Sequence, residues 1–251
     1  MRINLFGILV SKINLKETVI FLSQYNYIQT NYICLPDLSV IIAAQKDKTL
    51  AHILNNSLLT LPDGKPLEFI GKLKGAKGMS TISGYWLIKD LLNSNLSHYF
   101  YGSSPEKTNA LVEKLKTELP NSNITGFGSP PLLRLDEIEN NPAIRNEIAV
   151  INQLKPDIIW VGISSPKQDY LMYHFNKHLQ HGVMIGVGGV FDYLSGDTRK
   201  SPEWIKKIGL RWLYRLLQEP RRLWKKYFFT FWGFSGLLVK GLFSLSKKYK
   251  H

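Results

Sequence analysis

The chain of 251 residues carries 32 Lys and Arg against 19 Asp and Glu, and nearly all of its formal charge of +13 lies at one end. From Arg199 to the C-terminus there are 14 basic residues and only Glu203 and Glu219 are acidic, so the first 198 residues are almost neutral. This distribution argues against a nucleic-acid protein with basic residues throughout. It predicts a polyanionic partner for the C-terminal part: anionic lipid, phosphate groups or RNA.

The cysteine count and the N-terminal sequence further limit the class of protein. The lone Cys34 excludes a disulfide within the chain and suits a reducing compartment. The apolar N-terminal segment is interrupted by Lys12 and lacks a small-residue cleavage site, which argues against a signal peptide. The length suits one large domain with a tail.

Apolar periodicity predicts the elements of the first third of the chain. They are a strand over 3–10, a helix over 15–23, a strand over 32–35, and helices over 38–44, 49–59 and 85–92. Pro62-Asp63-Gly64 reads as a turn, because an Asp between Pro and Gly is most often a turn former. The stretch 67–78 is rich in Gly and Lys and predicts no regular element.

A strand, small-residue turn and helix then recur along the chain. The strand over 99–101 leads through Gly102 into a helix over 106–119, and the strand over 158–161 leads through Gly162 into a helix over 167–179. A third strand over 183–187 ends at Gly188-Gly189. The series predicts an α/β fold with a Rossmann-like parallel sheet flanked by helices, and a ligand at the carboxyl ends of the strands.

These turns offer backbone N–H groups and helix N-termini to an anion, which favours a phosphate-bearing ligand. The alternative is that the glycines serve only close strand-to-helix turns. None of the turns is a G-x-G-x-x-G fingerprint or a Walker loop, which argues against a nicotinamide oxidoreductase.

The C-terminal part predicts amphipathic helices. Ser201 and Pro202 suit an N-cap and a first helical position. An apolar stripe follows at Trp204, Ile208, Trp212 and Leu216, beside a cationic stripe at Lys207, Arg211 and Arg215. The uncharged run 227–239 is short for a membrane span and rich in aromatic residues, so we expect it to lie in a membrane interface, with a tilted span as the alternative. We therefore divide the chain into a core, 1–198, and a basic C-terminal appendage, 199–251.

The remaining candidates for chemistry are carboxylates and arginines. Metal-binding motifs are absent from the sequence, which predicts no metal, and no nucleophilic triad is supported. Asp63, Asp192 and Asp197 lie in or near turns. Together with the Arg-rich helix they suit a displacement in which a carboxylate takes a proton from an alcohol while cations stabilise a departing diphosphate.

Five blocks of sequence follow one another in a characteristic order. They are Pro62-Asp63-Gly64, Pro156-Asp157-Ile158 with Val161-Gly162 and Ser165-Pro166-Lys167-Gln168-Asp169, Gly186-Val187-Gly188-Gly189-Val190-Phe191-Asp192, Arg199-Lys200-Ser201-Pro202-Glu203-Trp204, and Trp212-Leu213-Tyr214-Arg215-Leu216 with Glu219-Pro220-Arg221-Arg222-Leu223. In this order the blocks resemble the WecG/TagA/CpsF glycosyltransferases, glycosyltransferase family 26. The resemblance covers about residues 1–228.

The resemblance implies an inverting, metal-independent transfer of a hexose from a nucleotide diphosphate sugar to a polyprenyl-diphosphate-linked acceptor, at the cytoplasmic face of the membrane. It implies that Asp63 is the general base, that Gln168 lies by the donor, and that Arg215, Arg222 and Lys225 close over the donor diphosphate. It also implies self-association and binding of the appendage to an anionic membrane surface, with no cofactor and no nucleic acid. The other expected substrate contacts are Asp37, Gly64, Gly102, Gly162, Pro166, Lys167, Gly188, Gly189 and Asp192.

Several positions depart from the family pattern. The family's T-x-N appears as Leu35-Pro36-Asp37, and Thr81 and Trp86 replace an expected Arg and Asp. Arg211 replaces a Glu. These changes concern donor and acceptor identity, and an inactive paralogue remains an alternative. A second alternative is a non-catalytic adaptor whose interleaved Trp and Arg bind a membrane or a nucleic acid.

Overall fold

The computed structural model describes residues 1–131, 134–196, 202, 205 and 210–248. The strands are β1 (Arg2–Leu5), β2 (Ile8–Ser11), β3 (Asn31–Cys34), β4 (Leu59–Thr60), β5 (Ser97–Gly102), β6 (Asn123–Gly128), β7 (Ile158–Gly162) and β8 (Val183–Gly186). The helices are α1 (Leu15–Ser23), α2 (Leu38–Ala43), α3 (Lys48–Asn56), α4 (Lys65–Leu73), α5 (Gly84–Leu92), α6 (Pro105–Glu118), α7 (Pro142–Leu154), α8 (Lys167–Phe175), α9 (Val190–Ser195), α10 (Arg211–Gln218) and α11 (Pro220–Lys248), with a 3-10 helix at Leu135–Glu137.

A six-stranded parallel sheet in the order β4-β3-β8-β7-β5-β6 forms the centre of the molecule. Successive side chains along each strand point alternately into two apolar clusters, one on each face of the sheet. In β5, Tyr99 and Tyr101 pack with α3, α7 and α8, while Phe100 points to the other face and packs with α1, α5, α6 and α9. Because both faces are covered by helices, the two middle strands, β7 and β8, are apolar along their whole length. The predicted α/β fold with a parallel sheet flanked by helices is therefore confirmed.

The N-terminal segment corrects the prediction of one strand over 3–10. It forms an antiparallel hairpin in which Leu5 pairs with Ile8. Phe6 and Gly7 both have positive φ angles, 54° and 84°, which is the conformation of a two-residue hairpin turn. The side chain of Asn4 accepts a hydrogen bond of 2.7 Å from the Gly7 N–H. The apolar run concealed the turn because only Gly7 marks it in the sequence.

Other boundaries also differ from the predictions. The helix expected over 49–59 ends at Asn56, and Leu59–Thr60 pairs with the end of β3. The stretch 67–78 contains most of α4, which begins after Gly64 with a Pro in its first turn. Both β6 and α7 were missed, and β6 is an edge strand whose two glycines, Gly126 and Gly128, weaken its strand signal.

The C-terminal helices lie against the core. In α11, Leu223 is buried, Gly233 packs on Ile42 of α2, and the Phe234 ring lies 6.2 Å from the ring of Phe6. The opposite side of the helix exposes Trp224, Phe228, Phe229, Phe231 and Trp232. The run 227–239 thus belongs to one long helix. Among the described helices, none combines the length and apolar character needed to cross a membrane.

The end of the predicted core and part of the predicted appendage fall outside the described residues. This applies to Asp197, to the expected N-cap at Ser201, to Trp204, Lys207 and Ile208, and to the boundary between residues 198 and 199. The division into a core and an appendage stays a prediction.

The turn before β8 provides a test of the sheet order. Gly182 has a φ of +89°, and a Cβ there would lie 2.3 Å from the carbonyl oxygen of Pro156. Gly75 has a similar φ of +90° with nothing within 4 Å. We expect Gly182→Ala to lower the free energy of unfolding by about 1–3 kcal/mol more than Gly75→Ala, because only the first substitution adds a clash to the backbone strain. Urea unfolding measures both, and equal losses would contradict this packing.

Candidate active site

A cleft of about 960 Å³ opens at the carboxyl edge of the sheet. Every strand of the sheet contributes its carboxyl end to it. The lining includes Asp37 after β3, Asp63 after β4, Ser103 after β5, Ser129 after β6, Gly162 at the end of β7 and Gly188 after β8. This is where open α/β sheets bind ligands.

Asp63 is positioned by backbone contacts between two adjacent strand ends. Its N–H donates to the carbonyl oxygen of Pro36 at 3.1 Å, and the N–H of Leu61 donates to that of Cys34 at 2.8 Å. Gly64 follows with a φ of +94°, a conformation that favours glycine, and caps α4. The turn therefore holds Asp63 on the cleft wall beside Asp37.

Gln168 connects the two central loops of the cleft. The side chain is buried, its Nε2 donates to Ser165 Oγ at 2.8 Å, and its Oε1 accepts from the Gly188 N–H at 2.9 Å. Gly188 has a φ of +59° and Gly186 contacts Gln168 closely, so neither glycine tolerates a larger side chain without rearrangement. Gln168 thus sets the distance between the loops after β7 and β8.

Arg215 of α10 reaches the cleft at the start of α9. A Cβ built at Gly189 would lie 3.4 Å from Arg215 Nη2 and 3.5 Å from Asp192 Oδ2. The guanidinium carbon lies 5.3 Å from the centre of the Tyr193 ring. Arg215 Nε is buried and has no hydrogen-bond partner among the described residues. Arg215 Nη2 lies 4.0 Å from Glu219 Oε1, so the donor left for an anion is the Nε–H.

Lys226 of α11 forms an ion pair at the cleft. Its Nζ lies 2.8 Å from Asp37 Oδ2, and the Asp37 carboxylate also accepts from the Ser39 hydroxyl and from the Val40 N–H. Burial opposes the charged form of Asp37, but Lys226 and these hydrogen bonds outweigh it and hold the pKa of Asp37 below its ordinary value. Asp37 is thus an ionised carboxylate whose charge is offset by Lys226.

Asp169 lies beneath the cleft floor in the first turn of α8. It is 1% exposed, and neither carboxylate oxygen has a hydrogen-bond partner among the described residues. Burial raises the pKa of Asp169 to about 6. The Asp169 carboxyl therefore keeps its proton up to about pH 6 and ionises above that pH.

The described residues contain no group of three or more His, Cys, Asp or Glu side chains placed to hold a metal ion. The cations that line the cleft in the described part of the chain are Lys167, Arg215 and Lys226. These three side chains are the groups available there to offset the charge of a diphosphate.

Comparison with known proteins identifies the family. The family model described as "Glycosyl transferase WecG/TagA/CpsF family" matches residues 3–248. The chain belongs to the WecG/TagA/CpsF family. It is a glycosyltransferase. This argues against the alternative of a non-catalytic adaptor, which its interleaved Trp and Arg residues had suggested.

Two relatives carry the same name, N-acetylglucosaminyldiphosphoundecaprenol N-acetyl-beta-D-mannosaminyltransferase. The relative from Bacillus subtilis is 30% identical to this chain over 191 residues, which are 74% of this chain and 71% of the relative. The relative from Bacillus spizizenii is 27% identical over 187 residues, which are 73% of this chain and 69% of the relative.

Most of the residues expected from the WecG/TagA/CpsF resemblance meet in this cleft. Its lining includes Asp37, Asp63, Gly162, Lys167, Gln168, Gly188, Gly189, Asp192 and Arg215. Gly64, Gly102 and Pro166 are next to lining residues in the chain without lining the cleft themselves. Their roles stay predictions.

Of the appendage cations expected at the cleft, Arg215 lines it and Lys225 does not. Lys225 is exposed and lies 5.8 Å from the centre of the Trp224 ring, whereas the neighbouring Lys226 lines the cleft. The side chain of Arg222 lies outside the described residues. The position of Lys226 could have been predicted from helical periodicity. Leu223, Thr230 and Gly233 lie on the same side of α11 as Lys226, and this is the side that docks on the core.

The raised pKa of Asp169 predicts a specific pH dependence of stability. Below pH 4 the carboxyl is protonated in both states. Between about pH 4 and 6 the unfolded chain ionises while the folded protein keeps its proton, so stability falls as pH rises, by on the order of 3 kcal/mol at completion.

Asp169→Asn removes this titration. We expect the free energy of unfolding of the variant, relative to that of the wild type, to increase from pH 4 to 6 and then level off. Urea unfolding across this range measures it, with the exposed Asp90→Asn as the control. A constant difference between Asp169→Asn and the wild type would contradict a raised pKa at this site.

Proposed function

We propose that this glycosyltransferase moves a hexose from a nucleotide diphosphate sugar to a polyprenyl-diphosphate-linked saccharide, with inversion and without a metal ion. The observation that carries the proposal is the placement of Asp63, Arg215 and Lys226 in one cleft, although they come from distant parts of the sequence. The names of the two relatives support a lipid-diphosphate acceptor and make N-acetylmannosamine the first donor sugar to test.

The chemistry proposed for Asp63 is general base catalysis. The carboxylate takes the proton of an acceptor hydroxyl as that oxygen attacks the anomeric carbon of the donor. The bond from the anomeric carbon to the diphosphate breaks on the opposite side, so a single displacement inverts the configuration. The negative charge then passes to the departing nucleotide diphosphate.

Arg215, Lys167 and Lys226 are proposed to stabilise that departing charge. Arg215 fits best, because its guanidinium is held by the Tyr193 ring beside Gly189 and keeps a buried N–H without a partner in the described protein. Backbone N–H groups at the start of α6 and α9 add partial positive charge at the same edge.

Lys226 has a second proposed role, which is to offset the negative charge of Asp37 in the cleft. A carboxylate where the family pattern has an Asn would repel a diphosphate, and the ion pair at 2.8 Å neutralises it. A partly exposed ion pair contributes about 1 kcal/mol or less to stability. The apolar contacts of Leu223, Gly233 and Phe234 therefore dock α11, and the ion pair orients it over the cleft.

The location of the reaction follows from its acceptor. We propose that the protein works as a peripheral protein at the cytoplasmic face of the membrane, that the appendage binds anionic lipid through its exposed aromatic and basic residues, and that the protein self-associates. The aromatic side of α11, which faces away from the core, supports the lipid contact.

The central test is the substitution Asp63→Asn. We expect it to lower the rate of transfer by about 10²- to 10⁴-fold, because the amide cannot accept the proton, while donor binding and the unfolding transition stay unchanged. Nucleotide release with a synthetic prenyl-diphosphate acceptor measures the rate. The matched control is Asp90→Asn on the exposed side of α5, which should retain wild-type turnover. Full turnover by Asp63→Asn would exclude Asp63 as the base.

A further inference from the structure

Helix α4 presents two large apolar side chains to solvent. Phe69 is 64% exposed and Leu73 is 72% exposed. They are four residues apart and therefore lie on the same side of the helix, in line with Lys65 one turn earlier. We call Lys65, Phe69, Lys72 and Leu73 the α4 face. An exposed aromatic and aliphatic pair of this kind is typical of an interaction surface.

The charge around the α4 face is strongly one-sided. The segment 65–78 has four exposed lysines, Lys65, Lys72, Lys74 and Lys77. Its one acidic residue, Glu68, is 7% exposed and accepts hydrogen bonds from Lys65 at 2.9 Å and from Lys72 at 2.7 Å. Glu68 offsets one of the four positive charges, so the segment keeps a net charge of +3 and has no exposed carboxylate.

The α4 face adjoins the region where α11 is docked. Lys74 Nζ lies 5.6 Å from the centre of the Phe6 ring and donates to the carbonyl oxygen of Asn4 at 3.2 Å. The same Phe6 ring lies 6.2 Å from the ring of Phe234 on α11. The turn of the N-terminal hairpin thus joins the C-terminal end of α4 to α11.

We propose that the α4 face is a membrane-contact surface of the core, which binds an anionic phospholipid bilayer beside α11. Apolar side chains among lysines match the boundary between acyl chains and anionic headgroups. A symmetric contact with a second copy is less compatible with this composition, because the lysines of both copies would meet with no exposed carboxylate from either segment between them.

The proposal gives α4 a role in presenting the acceptor, and this consequence depends on the function proposed above. The helix starts at Lys65, two residues after Asp63, and Leu73 lies about 12 Å further along its axis. Contact of the α4 face with lipid therefore fixes the height of Asp63 above the bilayer. An acceptor whose diphosphate stays at the headgroup level is then presented to a base held at constant depth.

The test uses the full chain with Phe69→Gln and Leu73→Gln combined, since Gln keeps good helix propensity on an exposed surface. Partitioning is measured by co-sedimentation with vesicles of phosphatidylcholine containing phosphatidylglycerol. We expect it to fall on the order of tenfold. The matched control combines Ile20→Gln and Ile28→Gln, which also removes two exposed apolar side chains, 46% and 71% exposed, from α1 and the loop before β3. It should partition like the wild type.

Two further measurements separate this proposal from its alternatives. Transfer to a detergent-solubilised acceptor should keep its wild-type rate in the α4 double variant, so loss of lipid binding is distinguished from loss of the reaction. Unchanged partitioning of that variant, or an equal loss in the control, would overturn the proposal. So would a fall in oligomer mass with vesicle binding intact, which would assign the face to a second copy of the chain.

Discussion

The parallel sheet is the constraint on which the site depends. Parallel strands direct all of their carboxyl ends to one edge, and in this chain the six ends line one cleft. Asp37, Asp63 and Asp192 are far apart in sequence and meet there only for this reason. Gln168 then fixes the two central loops of this edge relative to each other.

Charge is divided between the two parts of the molecule. The core supplies carboxylates and Lys167, whereas Arg215 and Lys226 come from the basic C-terminal helices. The ion pair between Lys226 and Asp37 is too exposed to hold α11 by itself, and the helix docks through apolar contacts. The same helix directs its other aromatic residues outward. This arrangement is consistent with the proposal that one segment both completes the cleft and contacts a membrane.

Much of this organisation was predictable from sequence, because strand, turn and helix recur with clear punctuation. The parallel sheet and the position of its ligand edge followed from the units around β5, β7 and β8. Asp63 and Gln168 were singled out through the family resemblance, since a Pro-Asp-Gly turn has no chemical signature of its own. The edge strand β6 was missed because glycines interrupt its pattern, and α4 because its lysines and glycines masked a helix held by the buried Leu67 and Glu68.

The choice between Lys225 and Lys226 shows where sequence reasoning stops. Adjacent residues of a helix point about 100° apart, so the docked side of α11 decides which lysine reaches Asp37. That side is set by Gly233 against Ile42 and Phe234 against Phe6, contacts between the two ends of the chain. The burial of Asp169 is likewise a result of tertiary packing. An Asp at position 169 of the sequence would ordinarily be predicted to be exposed.

The most direct test of the account is a transfer assay with detergent-extracted protein, a synthetic prenyl-diphosphate saccharide acceptor, a panel of nucleotide sugars, and EDTA throughout. The account predicts release of nucleotide diphosphate with one donor of the panel, accompanied by an inverted glycosidic product. Turnover that appears only after a divalent metal is restored would contradict the proposed role of Arg215, Lys167 and Lys226 as the counter-charge. A folded protein that releases no nucleotide with any donor, with or without metal, would contradict the proposed reaction.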